Sequence, residues 1–300
     1  MNKGFRIGPF LLPTVRPYLE LTRPPNLWTA VADVLAGNAV AGLPHLGSFF
    51  LLSISTIGLY GGGVTFNDVF DARLDQEERP ERPIPSGRAS RRSAALFGGA
   101  LFAIGITAAF LAGKISGLLA VAISALALLY DSWGKHRALL GPINMGACRG
   151  LNLLLGVSVS PAVLRDQWPL MWIPWVYIAS VTLLSRGEVH GGRRSRVLVA
   201  IGLIGAALTA VASLGFQNGV HLLSIAPFLA LLLLRIGPPL WRACRLPEAG
   251  PIRAAVQAGV LSLILIDAAI AGGYGGFLFG LALFLLSPIA AKTARLFAVT

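Results

Sequence analysis

The chain has 300 residues, 55% of them hydrophobic and 13% charged, with a mean hydropathy of +0.72. A soluble domain carries about a quarter charged residues, so the surface of a soluble enzyme is missing, and a secreted disulfide scaffold or a disordered chain is excluded with it. The net charge of +12, from 25 Lys and Arg against 13 Asp and Glu, would suggest nucleic acid in a soluble protein. In so apolar a chain it reads instead as the cytoplasmic bias of membrane-protein loops, and no nucleic-acid partner is expected.

Residues 1–26 form a basic, proline-containing segment with no cleavable apolar core, so the first span is expected to act as a signal anchor. Residues 27–300 read as one all-α domain, a polytopic transmembrane helical bundle of nine or ten spans among membrane lipids. Its apolar segments lie at 27–43, 47–66, 93–112, 115–130, 139–161, 169–185, 197–215, 219–236, 254–271 and 273–291. Most have about the length that a hydrocarbon core of ~30 Å requires. Turn formers mark several breaks: Leu43-Pro44, Gln217-Asn218-Gly219 and the run Gly272–Gly276. At this last run the two final segments are readable as two spans or as one that re-enters.

Placing the N-terminus in the cytoplasm puts 22 Lys and Arg, from Lys3 and Arg6 to Lys292 and Arg295, on that side. Only Lys114 and Arg165 fall on the other. This asymmetry orients the chain, with loops 67–92 and 186–196 cytoplasmic and a bacterial inner membrane the expected location. Cys148 and Cys244 show neither metal-ligand spacing nor a disulfide framework.

Six of the 13 acids fall between Asp68 and Glu81. Asp68, Asp71 and Asp75 are spaced i, i+3, i+7, which puts them on one face of a helix. Three like charges on one face repel each other, an arrangement that makes sense around a divalent cation. Mg²⁺ binds through one or two carboxylates, keeps waters and bridges to substrate phosphates. A solvated acidic loop balanced by Arg73, Arg79, Arg82 and Arg88 is the plainer alternative. The regular spacing and the abutting apolar span favour the metal.

Within the spans, Asp33, Arg149, Asn152 and Asp267 are ionisable or polar, and such residues are usually functional. An ion pair of Arg149 with Asp33 or Asp267, and an acceptor pocket lined by Arg149 and Asn152, are both open on the sequence alone. In loop 186–196, Arg186, Arg193 and Arg194 are suited to pairing with phosphate oxygens. Holding the loop in the cytoplasm would need the same residues.

Asn67-Asp68-x-x-Asp71-x-x-x-Asp75, followed by Arg82-Pro83-Ile84-Pro85-Ser86-Gly87, resembles the first aspartate motif and following arginine-proline stretch of the UbiA superfamily of intramembrane prenyltransferases. Arg23-Pro24-Pro25-Asn26 is similar to that family's approach to its first span, and Tyr130 with Lys135 to its tyrosine-to-lysine stretch. The resemblance implies a helical bundle whose central cavity is capped by the two cytoplasmic loops. The family's second aspartate motif is reduced here to Ser185-Arg186-Gly187-Glu188-Val189-His190, in which Glu188 takes the place of the motif's last acid. Gly61–Phe66, Gly141–Gly146 and Ser185–Gly192 further resemble the EboC proteins, associated with secondary-metabolite maturation and export.

The expectation is therefore a Mg²⁺-dependent prenyltransferase acting on a prenyl diphosphate and an aromatic or other lipophilic acceptor. Asp68, Asp71 and Asp75, with Asn67 and Glu188, would hold the metal. Arg23, Asn26, Arg82, Lys135, Arg149, Asn152, Arg193 and Arg194 would bind substrate, with Trp28, Tyr60, Phe66 or Trp133 shielding a developing allylic cation. The competing reading is a carrier of the same shape that binds or exports a metabolite precursor, which the reduced second motif favours.

Overall fold

A computed structural model describes residues 15–42, 46–217 and 220–297. Lys3, Arg6, the Leu43-Pro44 turn and Asn218-Gly219 lie outside them. The described chain is helical: α1 (Arg16–Leu21), α2 (Pro24–Val40), α3 (Leu46–Asp71), α4 (Leu74–Glu78), α5 (Arg91–Ala112), α6 (Lys114–Ser132) and α7 (Leu140–Val157). There follow α8 (Pro161–Gln167), α9 (Trp172–Ser185), α10 (Arg194–Leu214), α11 (Leu222–Arg245), α12 (Ala249–Gly275), α13 (Phe277–Phe284) and α14 (Leu286–Thr293). Seven helical stretches are long and apolar enough to cross a membrane: α3, α5, α6, the run 161–185, α10, α11 and α12. The shorter α2 and α7 carry the buried charges Asp33 and Arg149.

Helix α12 is the central post, buried along most of its length. It packs with α2, α7, α9, α10 and α11 around one apolar core, while α3, α5 and α6 enclose a second with Val34 and Leu155. Large apolar side chains also point outward, among them Phe50, Leu96, Leu111, Leu223, Leu234 and Leu278. An outward apolar surface over helices whose backbone bonds are internal is what a hydrocarbon solvent requires.

Close helix approach depends on glycine. A Cβ on Gly37 of α2 would run into the Leu153 carbonyl of α7, and one on Gly156 of α7 into the Val34 carbonyl. Gly58 of α3 and Gly105 of α5 meet in the same way. Such small-residue contacts replace the missing hydrophobic drive between helices in lipid.

Two boundaries differ from the sequence expectation. Helix α12 runs through Gly272 and Gly273 because these glycines pack against α11, Gly272 beside Ser224 and Phe228, Gly273 beside Ile225. The break falls at Gly276, with a left-handed φ of 88°. Helix α11 continues to Arg245, beyond the end expected at 236, and Arg235 within it donates to Ser287 Oγ of α14 at 2.7 Å.

Candidate active site

One end of the bundle gathers the end of α3, α4 with its following turns, the turn after α6, and the segment between α9 and α10. Ser90 caps α5, its hydroxyl accepting from the Ser93 amide at 3.0 Å. The turns after α4 cover a small apolar cluster of Leu21, Val69, Ala89 and Ala94. The aspartate motif is thus anchored by packing at its back.

The single helical face expected for Asp68, Asp71 and Asp75 is not formed. Helix α3 ends at Asp71, and Asp75 sits in α4 beyond the Ala72-Arg73 turn. The interruption unstacks three repelling carboxylates and gives each its own cation. Arg23 Nη2 donates to Asp68 Oδ1 at 2.7 Å and to Asn67 Oδ1 at 3.3 Å. Arg82 Nη1 donates to Asp75 Oδ2 at 2.8 Å and to Asp68 Oδ1 at 3.1 Å. Lys135 Nζ donates to Asp71 Oδ1 at 2.6 Å.

Arg23 has a φ of 46°, the one positive φ among described non-glycine residues. The two prolines that follow, opening α2, disfavour the right-handed helical conformation at Arg23. Left-handed backbone at such a residue costs on the order of 1–3 kcal/mol and is retained at sites that use it. Here it accompanies the contact with Asp68. Burial, opposed by Arg82, holds the Asp75 carboxyl above the usual carboxylate range. Burial first, and then Arg23, lowers Arg82.

Asp71, Asp75, Arg79, Arg82, Glu188 and Tyr60 are on the wall of one cavity of about 270 Å³, which Asn26 also lines. Glu188 is positioned by its loop: Gly192 N donates to the Pro247 carbonyl at 2.8 Å, Gly191 takes a left-handed φ of 78°, and Arg253 donates to the Glu188 carbonyl at 3.1 Å. Its carboxyl is buried and raised by that burial, against the opposing charges of Arg79 and Arg253. Its Oε1 has no hydrogen-bond partner.

No group of three His, Cys, Asp or Glu among the described residues forms a ready-made metal cluster. Magnesium needs only one or two carboxylates beside water and substrate phosphate. Asp71, Asp75 and the orphaned Glu188 oxygen, faced by Arg79 and Arg82, therefore fit a magnesium–diphosphate group.

A second, inner cavity of about 180 Å³ runs into the bundle. It shares Arg23, Tyr60, Asn67, Tyr130, Met145 and Arg149 with the outer one, so the two meet there. Its walls are largely apolar, including Leu59, Val64, Ile123 and Ala127. At its inner side Arg149 Nη1 pairs with Asp33 Oδ2 at 2.9 Å, Nη2 donates to Thr29 Oγ1 at 2.7 Å, and the guanidinium lies 4.8 Å from the centre of the Tyr60 ring. Asn152 donates to Asp33 Oδ2 and to the Ala30 carbonyl, both at 2.8 Å. Thr56 donates to the Asn152 oxygen at 2.8 Å. Arg149 and Asn152 thus brace α2, α3 and α7 and also line the cavity.

The structure does not bring every expected residue here. Arg193 and Arg194 are exposed at the start of α10, and His190 is exposed in the preceding loop; none lines these cavities. Asn67 has its amide engaged at both ends, accepting from Arg23 and donating to Asp131 Oδ1 at 2.9 Å. Asp68 lines a neighbouring arginine-rich cavity with Arg23, Arg79 and Arg88. Of the aromatics, Tyr60 lines both cavities, Phe66 stacks on Phe102, and Trp133 is half exposed beneath Arg137. Sequence reasoning missed Asp131 and read Arg79 only as a charge balancing the acidic loop, whereas it lines the outer cavity and makes no ion pair among the described residues. An acid closing the fourth apolar segment, four residues before Lys135, was the available clue to Asp131.

These features define an apolar helical bundle with a ring of acids and cations over a cavity that continues into its interior. The chain belongs to the UbiA prenyltransferase family, whose model matches residues 26–242. It is 37% identical over 143 residues to a digeranylgeranylglyceryl phosphate synthase of Methanothermobacter thermautotrophicus, covering 47% of this chain and 50% of that protein. The synthase of the same name from Ignicoccus hospitalis is 32% identical over 179 residues, 59% of this chain and 58% of that one. The chain thus spans about half the length of the curated relatives it matches. Its fold is similar to a UbiA homolog from Archaeoglobus fulgidus bound to GPP and Mg2+, with a TM-score of 0.67 at 15% identity over 90% of this chain and 99% of that one. The apo structure of a UbiA homolog from Aeropyrum pernix also gives 0.67, at 19% identity over 81% and 96%.

Proposed function

We propose that the protein transfers a prenyl group from a prenyl diphosphate to a hydroxyl-bearing lipophilic acceptor, with Mg²⁺, at the cytoplasmic face of a membrane. The observation that carries this is the outer cavity: four carboxylates and four arginines line one space, and an orphaned buried carboxylate oxygen, Glu188 Oε1, belongs to it. A carrier has no evident need for that set. The named relatives are digeranylgeranylglyceryl phosphate synthases, and a prenyl group joined to a glyceryl unit supports a hydroxyl acceptor over a carbon nucleophile. The resemblance of three segments to EboC proteins supports a place in secondary-metabolite biosynthesis.

Bound magnesium would neutralise charge gathering on the departing pyrophosphate, usually a large part of catalysis. Asp71, Asp75 and Glu188 would hold it, with Asp68 and Asn67 fixing Arg23 at the rim. Arg79 and Arg82 would pair with phosphate oxygens, and Lys135 would turn from Asp71 to the diphosphate. The inner cavity would exclude water from the allylic carbon, with Tyr60 and Tyr130 at its mouth. The basic-residue asymmetry supports an orientation with this end in the cytoplasm.

The test is binding of prenyl diphosphates of several lengths to the protein in nanodiscs, with Mg²⁺ or with EDTA. Tight binding that requires Mg²⁺ and is lost in Asp71→Asn/Asp75→Asn is the expected result. Absence of binding at every length would leave the carrier reading in its place.

A further inference from the structure

Alkylating a hydroxyl releases a proton, and the residues assigned above provide no acceptor for it. Asp68, Asp71 and Asp75 each face a cation at 2.6–3.1 Å, which makes them poor proton acceptors. Glu188 stands in the outer cavity, on the diphosphate side. The inner cavity is lined by one acid, Asp131, in the last turn of α6.

Asp131 is 3% exposed and makes no ion pair among the described residues. Its Oδ1 is fixed by the Asn67 amide at 2.9 Å, which ties it to the aspartate motif itself. Its other oxygen receives no hydrogen bond from any described residue. A carboxylate held on one side, open on the other, and lining the inner cavity beside Asn67 and Tyr130, where the two cavities meet, is placed to receive a polar group arriving beside the allylic carbon.

We propose that Asp131 is a further catalytic residue, accepting a hydrogen bond from the acceptor's hydroxyl and then its proton. The step balances: the C1–O bond of the prenyl diphosphate breaks and its electron pair leaves on pyrophosphate. An oxygen lone pair of the acceptor forms the new C1–O bond, and the hydroxyl proton passes to Asp131 and on to water. The assignment rests on the transferase reading above and adds to it the class of nucleophile: oxygen, not carbon.

Asp131→Asn keeps an oxygen to accept from Asn67 and removes the proton acceptor. Wild type, Asp131→Asn and Asp131→Ala are compared in nanodiscs with a prenyl diphosphate, Mg²⁺ and a prenylglyceryl phosphate monoether bearing one free hydroxyl. Prenyl diphosphate binding and single-turnover ether formation are followed separately. The expected result is binding within twofold of wild type for Asp131→Asn, with ether formation slowed roughly 100-fold or more, as loss of a general base entails. An Asp131→Asn rate equal to wild type, or a loss of binding that accounts for the slower rate, overturns the role of Asp131 alone. Binding by wild type without ether formation overturns the oxygen nucleophile, and with it this assignment. Failure of wild type to bind the diphosphate overturns the transferase reading on which both depend.

Discussion

The molecule holds two networks of buried charge, built from the same residue types for different ends. The inner one, Arg149 with Asp33, Thr29 and Asn152, is centred on an acid that is 0% exposed and off the cavity walls, and every bond joins one helix to another. Asp267 of α12 stands fully buried beside it. The outer one, Asp68, Asp71 and Asp75 with Arg23, Arg82 and Lys135, faces open cavities and joins loops to helix ends. A buried acid off the cavity walls, such as Asp33, has no ligand to turn to, whereas Asp71 and Asp75 on a cavity wall can exchange a cation for one. The first is read as structure and the second as a site held ready.

The sharpest way to break this distinction is at Arg149. Arg149→Met leaves Asp33 buried without its cation, and removal of one partner of a buried pair costs about 3–5 kcal/mol. A large drop in thermal unfolding temperature in detergent is expected. Arg149→Met/Asp33→Leu should recover most of it, since replacing a whole buried pair with apolar groups is often neutral. If the single variant unfolds no earlier than wild type, the inner network is not the brace described here.

The outer network should respond in the opposite manner. Lys135→Met removes the cation of Asp71 at the cavity rim, so stability should change little while prenyl diphosphate affinity falls. A charge-assisted hydrogen bond of about 1.5–3 kcal/mol corresponds to roughly 10–100-fold in affinity. Titration calorimetry in nanodiscs reads the affinity and a melting scan the stability. A large melting shift with unchanged affinity would move Lys135 to the structural class.

Glu188 lies between the two: like Asp33 it is buried with one oxygen unmatched, but it lines the outer cavity. Glu188→Gln should weaken Mg²⁺-dependent binding about tenfold, the loss of a charged ligand worth ~1.4 kcal/mol. Without ligand it should hold or slightly raise the melting temperature, because an unpaired buried charge is removed. A fall in both quantities would mean that Glu188 stabilises the loop and does not serve the ligand.

The all-helical, membrane-spanning fold was legible because hydropathy over 16 or more residues survives any local detail. The first aspartate motif was legible because acids are so scarce elsewhere. What remained hidden was set by tertiary contact. The break between Asp71 and Asp75 depends on cations from three other parts of the chain: Arg23, Arg82 and Lys135. The passage of α12 through Gly272 and Gly273 depends on α11 packing closely on them. Asp131 carried too weak a local pattern, a lone acid at a span end, and gained meaning only when Asn67 was found bonded to it. The sequence left Arg149 between ion pair and pocket wall, and the structure gives it both places.

The smallest expected effect concerns the arginines that sequence placed on phosphate. Arg193 and Arg194 have the right chemistry and neighbouring glycines, yet they are exposed where α10 begins, off the cavity walls. Exposed charges act weakly on a site, because water and salt screen them within about 8–10 Å. Arg193→Ala/Arg194→Ala should therefore change diphosphate affinity less than twofold at physiological salt, with a modest loss only at low ionic strength, where screening fades. In the orientation proposed above, the same double change should weaken retention of the loop on the cytoplasmic side, since orientation depends on Lys and Arg counted near span ends. Accessibility labelling of a cysteine placed in the loop reads that second effect. An affinity loss of tenfold or more at physiological salt would show instead that the loop folds over the cavity when substrate binds.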